Sequence, residues 1–395
     1  MNKKITTIIC CFFIIINQLC QSISASHYAP NIYYAKPSKD EPYLANPSLN
    51  FTAGFANEAF DAHGTSVPYL QQYGPEDFLL RFIDPSLGPD NLETAGQGYI
   101  SGKYHFKQMT FLFEKNMFHH ILFGIISSFQ DLTITDITPK FIYAENSLLP
   151  SQVVYLEKLE QTIPKNINIA GMSSTVLYIA YNENMNNFNH IESFDVLLLA
   201  GIITPQIMKN DNQSILQYSP ANNYYFGYPI IAAITIGVRD WFGFGATGQI
   251  IPYQPTQKMI PINRTSENNF LLFSQETQAN VQQSPFISGT LYVDIENPAS
   301  GIKGAVAYTY SKYLQSVITP IDRSQFPFAH ANRSILLDGY TFGSLLFELE
   351  IDCSAPTKKL APIISFFYSM PILGNYYQKV YFFGGECNLQ INLEF

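Results

Sequence analysis

Apolar and polar residues alternate along much of this chain, and the alternation predicts its elements. Leu49, Phe51, Ala53 and Phe55 are interleaved with Asn50, Thr52 and Gly54. Successive side chains of a strand point to opposite faces, so this is a strand with one apolar and one polar side. A second strand opens with Ile100, Gly102, Tyr104 and Phe106 facing one way, and Ser101, Lys103, His105 and Lys107 the other. Its pattern slips at Gln108–Met109 and resumes through Phe111 and Phe113, which predicts a bulge. Further strands are expected near 118–133, 167–181, 193–204, 226–238, 242–251, 286–295, 302–313, 345–351 and 360–370. A last one runs to the carboxy-terminus, with Cys387, Leu389, Ile391, Leu393 and Phe395 on its apolar face. Between strands, long Pro-bearing or polar loops mostly alternate with short turns such as 114–116, 239–240, 297–301 and 353–359. The Asn-rich link 182–192 and the final loop 371–379 fit that rhythm least well.

Composition says what such strands face. Charged residues are 13% of the chain, about half the usual share of roughly 25%. Hydrophobic content is 47%, so the shortage of charge is not disorder. A lipid-facing surface has to be uncharged. After the amino-terminal segment no apolar run reaches the roughly 20 residues of a spanning helix, and the best, Ile230 to Val238, is far too short. A closed barrel is the other way to satisfy every backbone polar group in lipid. The expected fold is therefore all-β: a transmembrane antiparallel up-and-down barrel of about 12 strands, with 10 to 14 admissible. Abundant aromatics, 15% of the chain, suit girdles at the two interfaces.

The amino-terminus reads as a secretory signal peptide over residues 1–25, with Lys3 and Lys4 basic, Ile5 to Ile16 apolar and a small, polar exit from Gln21 to Ala25. A lead over 26–47 and a barrel domain over 48–395 would follow. Alternation ending on a terminal aromatic resembles the closing strand of bacterial outer-membrane β-barrel proteins, and the whole mature chain is porin-like in general architecture. That resemblance implies location in the outer membrane. It also implies outer-membrane lipid and the barrel-assembly machinery as partners, short turns inside and long loops outside. Leu389, Ile391, Leu393 and Phe395 would be the assembly signal. The acidic balance, −9 at neutral pH, excludes an ordinary nucleic-acid role.

Chemistry is sparse. Signal cleavage would leave only Cys353 and Cys387, too few for a disulfide framework, and no metal-ligand spacing or cofactor motif occurs. No serine lies in a nucleophile context beside a histidine, and the cluster Asp61, His63 and Ser66 reads as turn residues. No catalytic residue is therefore expected. Function should lie in the lumen, where parity places Lys103, His105 and Lys107 on one wall and Asp294, Lys303, Glu348, Glu350 and Glu386 on another. Two walls of opposite sign would orient a small polar solute or ion. In the first long loop, Phe78, Leu79, Arg81 and Phe82 are candidates for a constriction. The leading expectation is a porin-like channel. The alternative is a plugged barrel that recognises a partner through its outer loops, and an outer-membrane hydrolase ranks below both.

Overall fold

The computed structural model describes residues 45–71, 76–79, 94–118, 120–143, 148–172, 175–188, 191–204, 226–239, 241–262, 275–297, 301–326, 328–332, 339–353 and 360–391. The expected signal peptide and most of the lead lie outside these residues. In chain order the first elements are β1 (Ala45–Ala56), β2 (Glu58–Phe60), β3 (Ser66–Pro68), β4 (Glu76–Leu79), β5 (Thr94–Phe118) and β6 (Ile121–Ile142). Helix α1 (Pro150–Thr162) precedes β7 (Ile167–Met172), β8 (Val176–Phe188), β9 (Ile191–Ile203), β10 (Ile230–Arg239) and β11 (Phe242–Ile251). Then come β12 (Thr256–Ile262), β13 (Gln275–Gln282), β14 (Phe286–Asn297), β15 (Ile302–Tyr313) and β16 (Val317–Pro320). The short helix α2 (Phe328–Ala331), β17 (Thr341–Asp352), β18 (Leu360–Asn375), β19 (Tyr377–Gln378) and β20 (Tyr381–Ile391) complete the chain.

Twelve strands close on themselves in the order β5-β1-β20-β18-β17-β15-β14-β11-β10-β9-β8-β6, with β6 pairing back to β5. Every neighbouring pair in this wall is antiparallel. Closure leaves no edge strand and gives each backbone group a partner, the condition lipid imposes. The amino end of β1 and the carboxy end of β20 meet, with Ala45 opposite Ile391. The short connections β5–β6, β8–β9, β10–β11, β14–β15 and β17–β18 lie at that turn end. The long connections lie at the opposite, loop end.

The outer face is apolar because outward positions carry Leu, Ile, Val and Phe; Ile179, Leu291, Val306, Phe347 and Phe366 are all exposed. Aromatics ring both ends: Trp241 and Phe118 at the turn end, Tyr228, Tyr310 and the stacked pair Phe55–Tyr381 (5.6 Å) at the loop end. Strands of ten residues, β10 and β11, already match the roughly 9–11 needed to cross the bilayer. Val306 lies halfway along β15. Arginine there is expected to cost about 2–4 kcal/mol, read as a lowered urea midpoint for the barrel in lipid vesicles.

Inside, four aromatics lie over glycines directly opposite them: Phe382 on Gly54, Tyr178 on Gly124, Tyr292 on Gly245 and Phe367 on Gly384. A side chain at any of these glycines would collide with the ring. The space allows long reaches. Tyr178 crosses Gly124 on β6 to hydrogen bond Glu114 on β5, and Tyr292 crosses Gly245 on β11 to meet Thr235 on β10.

Four expectations needed correction. The 114–116 turn is strand, because Glu114, Lys115 and Asn116 lie in β5 and pair with β6, and the chain turns between Phe118 and Ile121. No bulge occurs at Gln108–Met109; the pairing of β5 with β1 is unbroken from Tyr104 to Lys115, and its shifts against β6 fall at Ser101/Lys103 and Asn116/Phe118. The Asn182–Glu192 link is mostly strand, because β8 and β9 run on past the end of their lipid-facing stretch into a polar extension. Finally, β5 and β6 are 25 and 22 residues long, and with β4 and β7 they carry the wall well beyond the barrel rim at the loop end. There Leu156 of α1 packs with Ala95, beside Phe141.

Candidate functional site

The lumen has a polar lower part and an apolar lid. On β1 the inward positions are Asn46, Ser48, Asn50, Thr52, Gly54 and Ala56, so polarity falls toward the loop end. A rung near the turn end runs Asn50–Glu386–Ser365–Glu350–Lys303–Glu296 around β1, β20, β18, β17, β15 and β14. The next contains Thr52, Glu348 and Asp294, and a third places Asp195 beside Thr235. Ser48 and Asn50 hydrogen bond the Glu386 carboxylate, and Thr52 Oγ1 donates to Asn50 at 2.9 Å. Glu114 adds a further inward carboxylate, next to Asn46 and Tyr178.

Asp294, Lys303, Glu348, Glu350 and Glu386 therefore point into the barrel. Lys103, His105 and Lys107 do not. They are exposed on the outer side of β5, where Lys103 pairs with Asp136 at 2.8 Å and Lys107 stands opposite Asp131. The cause is the lid: Tyr104 and Phe106 face inward because the interior at their level is itself apolar. Alternation that is apolar-in at the loop end becomes apolar-out lower down without any bulge. The expected basic wall vanishes, and Lys303 is the one inward lysine or arginine among the described wall residues. Asp195, Glu114 and Glu296 were missed, although Ser193 and Asp195 alternate with Phe194 and Val196 in the sequence and gave a usable signal.

The lid joins two loops. Hairpin β2–β3 and the two-residue β19 form a small sheet, separate from the wall, in the order β19-β2-β3. Tyr69 and Leu70 follow β3 into the barrel mouth and pack with Tyr104, Phe106, Phe342, Tyr377 and Phe382. Ring contacts run from Phe286 to Tyr313 (4.7 Å), to Tyr340 (4.5 Å), to Tyr377 (5.4 Å), and from Tyr377 to Phe342 (4.2 Å, stacked). Tyr69, Tyr104 and Gln378 are 0% exposed, so water does not reach these three side chains. Burial pushes the Tyr340 and Tyr377 hydroxyls up, so they stay neutral and put no charge in the layer. Inside it, Gln378 Nε2 donates to the Tyr69 hydroxyl at 3.1 Å.

On the solvent side a clasp holds the two loops together. Lys379 Nζ lies 3.1 Å from Glu58 and 2.9 Å from Ser66 Oγ, and Ser66 donates to Glu58. Hydrogen bonding from Ser66 and then Lys379, together with the Lys379 charge, holds the Glu58 carboxyl below its usual value. The clasp is thus charged at neutral pH and is lost only as pH falls through that lowered value.

The remaining candidates fall elsewhere. Phe78 and Leu79 lie in β4, whose backbone pairs with Gly96 and Thr94 of β5 above the rim. Arg81 and Phe82 lie outside the described residues, as do Leu393 and Phe395. Leu389 and Ile391 are in β20. Asp61 accepts from the backbone N–H groups of His63 and Thr65, both at 2.8 Å, and so stabilises its own turn. Among the described residues no cluster of three or more His, Cys, Asp or Glu could hold a metal ion.

A crystal structure of an outer membrane channel from Pseudomonas putida F1 resembles this chain with a TM-score of 0.52 at 9% identity, over 92% of this chain and 99% of that one. The transport unit of the autotransporter AIDA-I from Escherichia coli matches with a TM-score of 0.39 at 8% identity, over 93% and 94%. The Pseudomonas putida toluene transporter TodX matches with a TM-score of 0.36 at 9% identity, over 95% and 97%. No protein-family model matches the sequence, and neither does any curated protein. The first likeness establishes a shared fold: the chain is a β-barrel of the bacterial outer-membrane type.

Proposed function

We propose that the chain is a porin-like channel of the outer membrane, passing small polar solutes through an acid-lined lumen that prefers cations. The carrying observation is the sign of the inner face. Carboxylates project from several strands, and among the described wall residues Lys303, flanked on its rung by Glu296 and Glu350, is the one inward lysine or arginine set against them. A wall charge of one sign enriches the counter-ion and depletes the co-ion in a narrow aqueous passage. Assembly would use the alternating residues of β20, Leu389 and Ile391 among them.

Swelling of proteoliposomes in iso-osmotic solutes tests this. A small cationic solute should enter faster than an anionic one of equal size. Equal rates, or the reverse order, would contradict the reading.

One observation favours a second reading. Tyr69 and Tyr104 are fully buried in the barrel mouth, which also suits a plugged barrel presenting its loop-end sheets to a partner. Barrels that insert and stay impermeable under every condition that loosens the lid would favour that reading.

A further inference from the structure

Beneath the aromatic layer lies a run of inward polar side chains, Asn50, Thr52, Ser369, Glu348 and Glu386. The wall supplies part of the seal through Tyr104, Phe106, Phe342 and Phe382, but Tyr69, Leu70 and Tyr377 reach it from outside the wall. Hairpin β2–β3 pairs with no barrel strand, only with β19 in the short strap between β18 and β20. Two backbone positions beside the seal are held in the left-handed region by residues with side chains: Leu70 at φ 75° and Tyr376 at φ 53°. Such conformations are costly and persist only where surroundings enforce them. Leu70 is held by burial of its side chain, and Tyr376 by its N–H bond to the Asp61 carbonyl at 3.2 Å.

From this arrangement we infer that the β2–β3 hairpin, with Tyr69 and Leu70, is a removable stopper, and that the Glu58–Ser66–Lys379 clasp is its latch. The inference rests on the channel reading and adds its gate. The buried contacts of Tyr69 and Leu70 supply most of the holding force. The clasp is the adjustable part, because it lies at the surface where an ion pair is weak and screened by salt. In the closed state Lys379 bridges the strap to both strands of the hairpin and its ammonium lies 5.0 Å from the centre of the Phe60 ring. When the clasp parts, two bonds beside it, Lys379 N–H to Glu58 and Asn375 Nδ2 at the end of β18 to Ala62, face water that can replace them, which leaves the β2–β19 pairing to hold the hairpin. Withdrawal of Tyr69 then breaks its bond to Gln378 and opens the layer.

The test reads hairpin release directly. In the full mature chain with Cys353 and Cys387 changed to serine, Ala59→Cys places a thiol on β2 at a position that is 0% exposed when closed. The barrel is inserted in liposomes, and the thiol is modified with a membrane-impermeant maleimide at neutral pH. Adding Glu58→Gln or Lys379→Met should raise the modification rate about threefold to fivefold, the scale of one exposed ion pair, and the double variant should add little to either. Raising salt to 1 M should speed modification with the clasp intact and leave the Glu58→Gln rate unchanged. Rates that ignore both substitutions and salt would overturn the latch, as would immediate full modification with the clasp intact. Should Ala59→Cys fail to fold, amide hydrogen exchange of the β2–β19 pairing in the cysteine-free chain gives the readout without a buried substitution. Clasp-dependent modification in a barrel that never conducts would sink the channel reading alone. Conduction with clasp-independent modification would sink the stopper alone.

Discussion

Replacing Glu348 by lysine is expected to lower the cation-to-anion permeability ratio about tenfold, read as a shift of reversal potential in a salt gradient. Glu348 projects into the lumen one rung above Glu350 and Glu386, opposite Ala305 on the neighbouring strand. A unit charge at about 5 Å in water changes an ion's energy by ~0.8 kcal/mol, roughly fourfold in occupancy, and the substitution swings two units. Screening by the remaining carboxylates and by mobile ions reduces that to the order stated. Lys303→Gln is the internal control and should act in the opposite direction. It removes the lone inward cation from between Glu296 and Glu350, so cation preference should rise. If both variants moved the potential the same way, the effect would come from altered folding, not from lumen charge.

The second large effect concerns the wall. Gly245→Ala is expected to destabilise the barrel by about 3 kcal/mol, whereas Gly248→Ala on the same strand should be close to neutral. A β-carbon at Gly245 would fall on the Tyr292 ring and on the Ile234 carbonyl, so turning the ring aside does not relieve it. Overpacking of this kind costs ~1–3 kcal/mol, and losing the buried Tyr292–Thr235 hydrogen bond adds ~1 kcal/mol. At Gly248 nothing lies within 4 Å. Urea titration in lipid vesicles, following heat-modifiable gel mobility, separates the two. Equal losses at both positions would show that backbone flexibility, rather than room for Tyr292, is what the glycines provide.

How much of this was legible in the sequence depended on what lay on each side of a strand. In β14, Leu291, Val293 and Ile295 face lipid while Tyr292 and Asp294 face the lumen, so the alternation carries the correct sides. The ranges Phe242–Ile251 and Ile302–Tyr313 coincide with β11 and β15 for the same reason. In β5 the rule fails because Tyr104 and Phe106 meet the stopper, making the interior as apolar as the lipid side at that level. Parity alone then assigns Lys103, His105 and Lys107 to the wrong face. The stopper left no trace in periodicity. Tyr69 and Leu70 lie in a loop, and what makes them interior is contact with β19, more than 300 residues away. The Asn-rich end of β8 was read as a link since Asn182, Glu183 and Asn184 interrupt the alternation of apolar and polar residues.

The central claim is that an acid-lined, twelve-stranded barrel conducts cations. The direct measurement is single-channel current from refolded residues 26–395 in a planar bilayer across a potassium chloride gradient. Discrete steps are expected, with a reversal potential displaced toward the potassium equilibrium value. Steps reversing on the chloride side, or a folded and inserted barrel that stays silent even with Glu58→Gln and Lys379→Met in place, would contradict it.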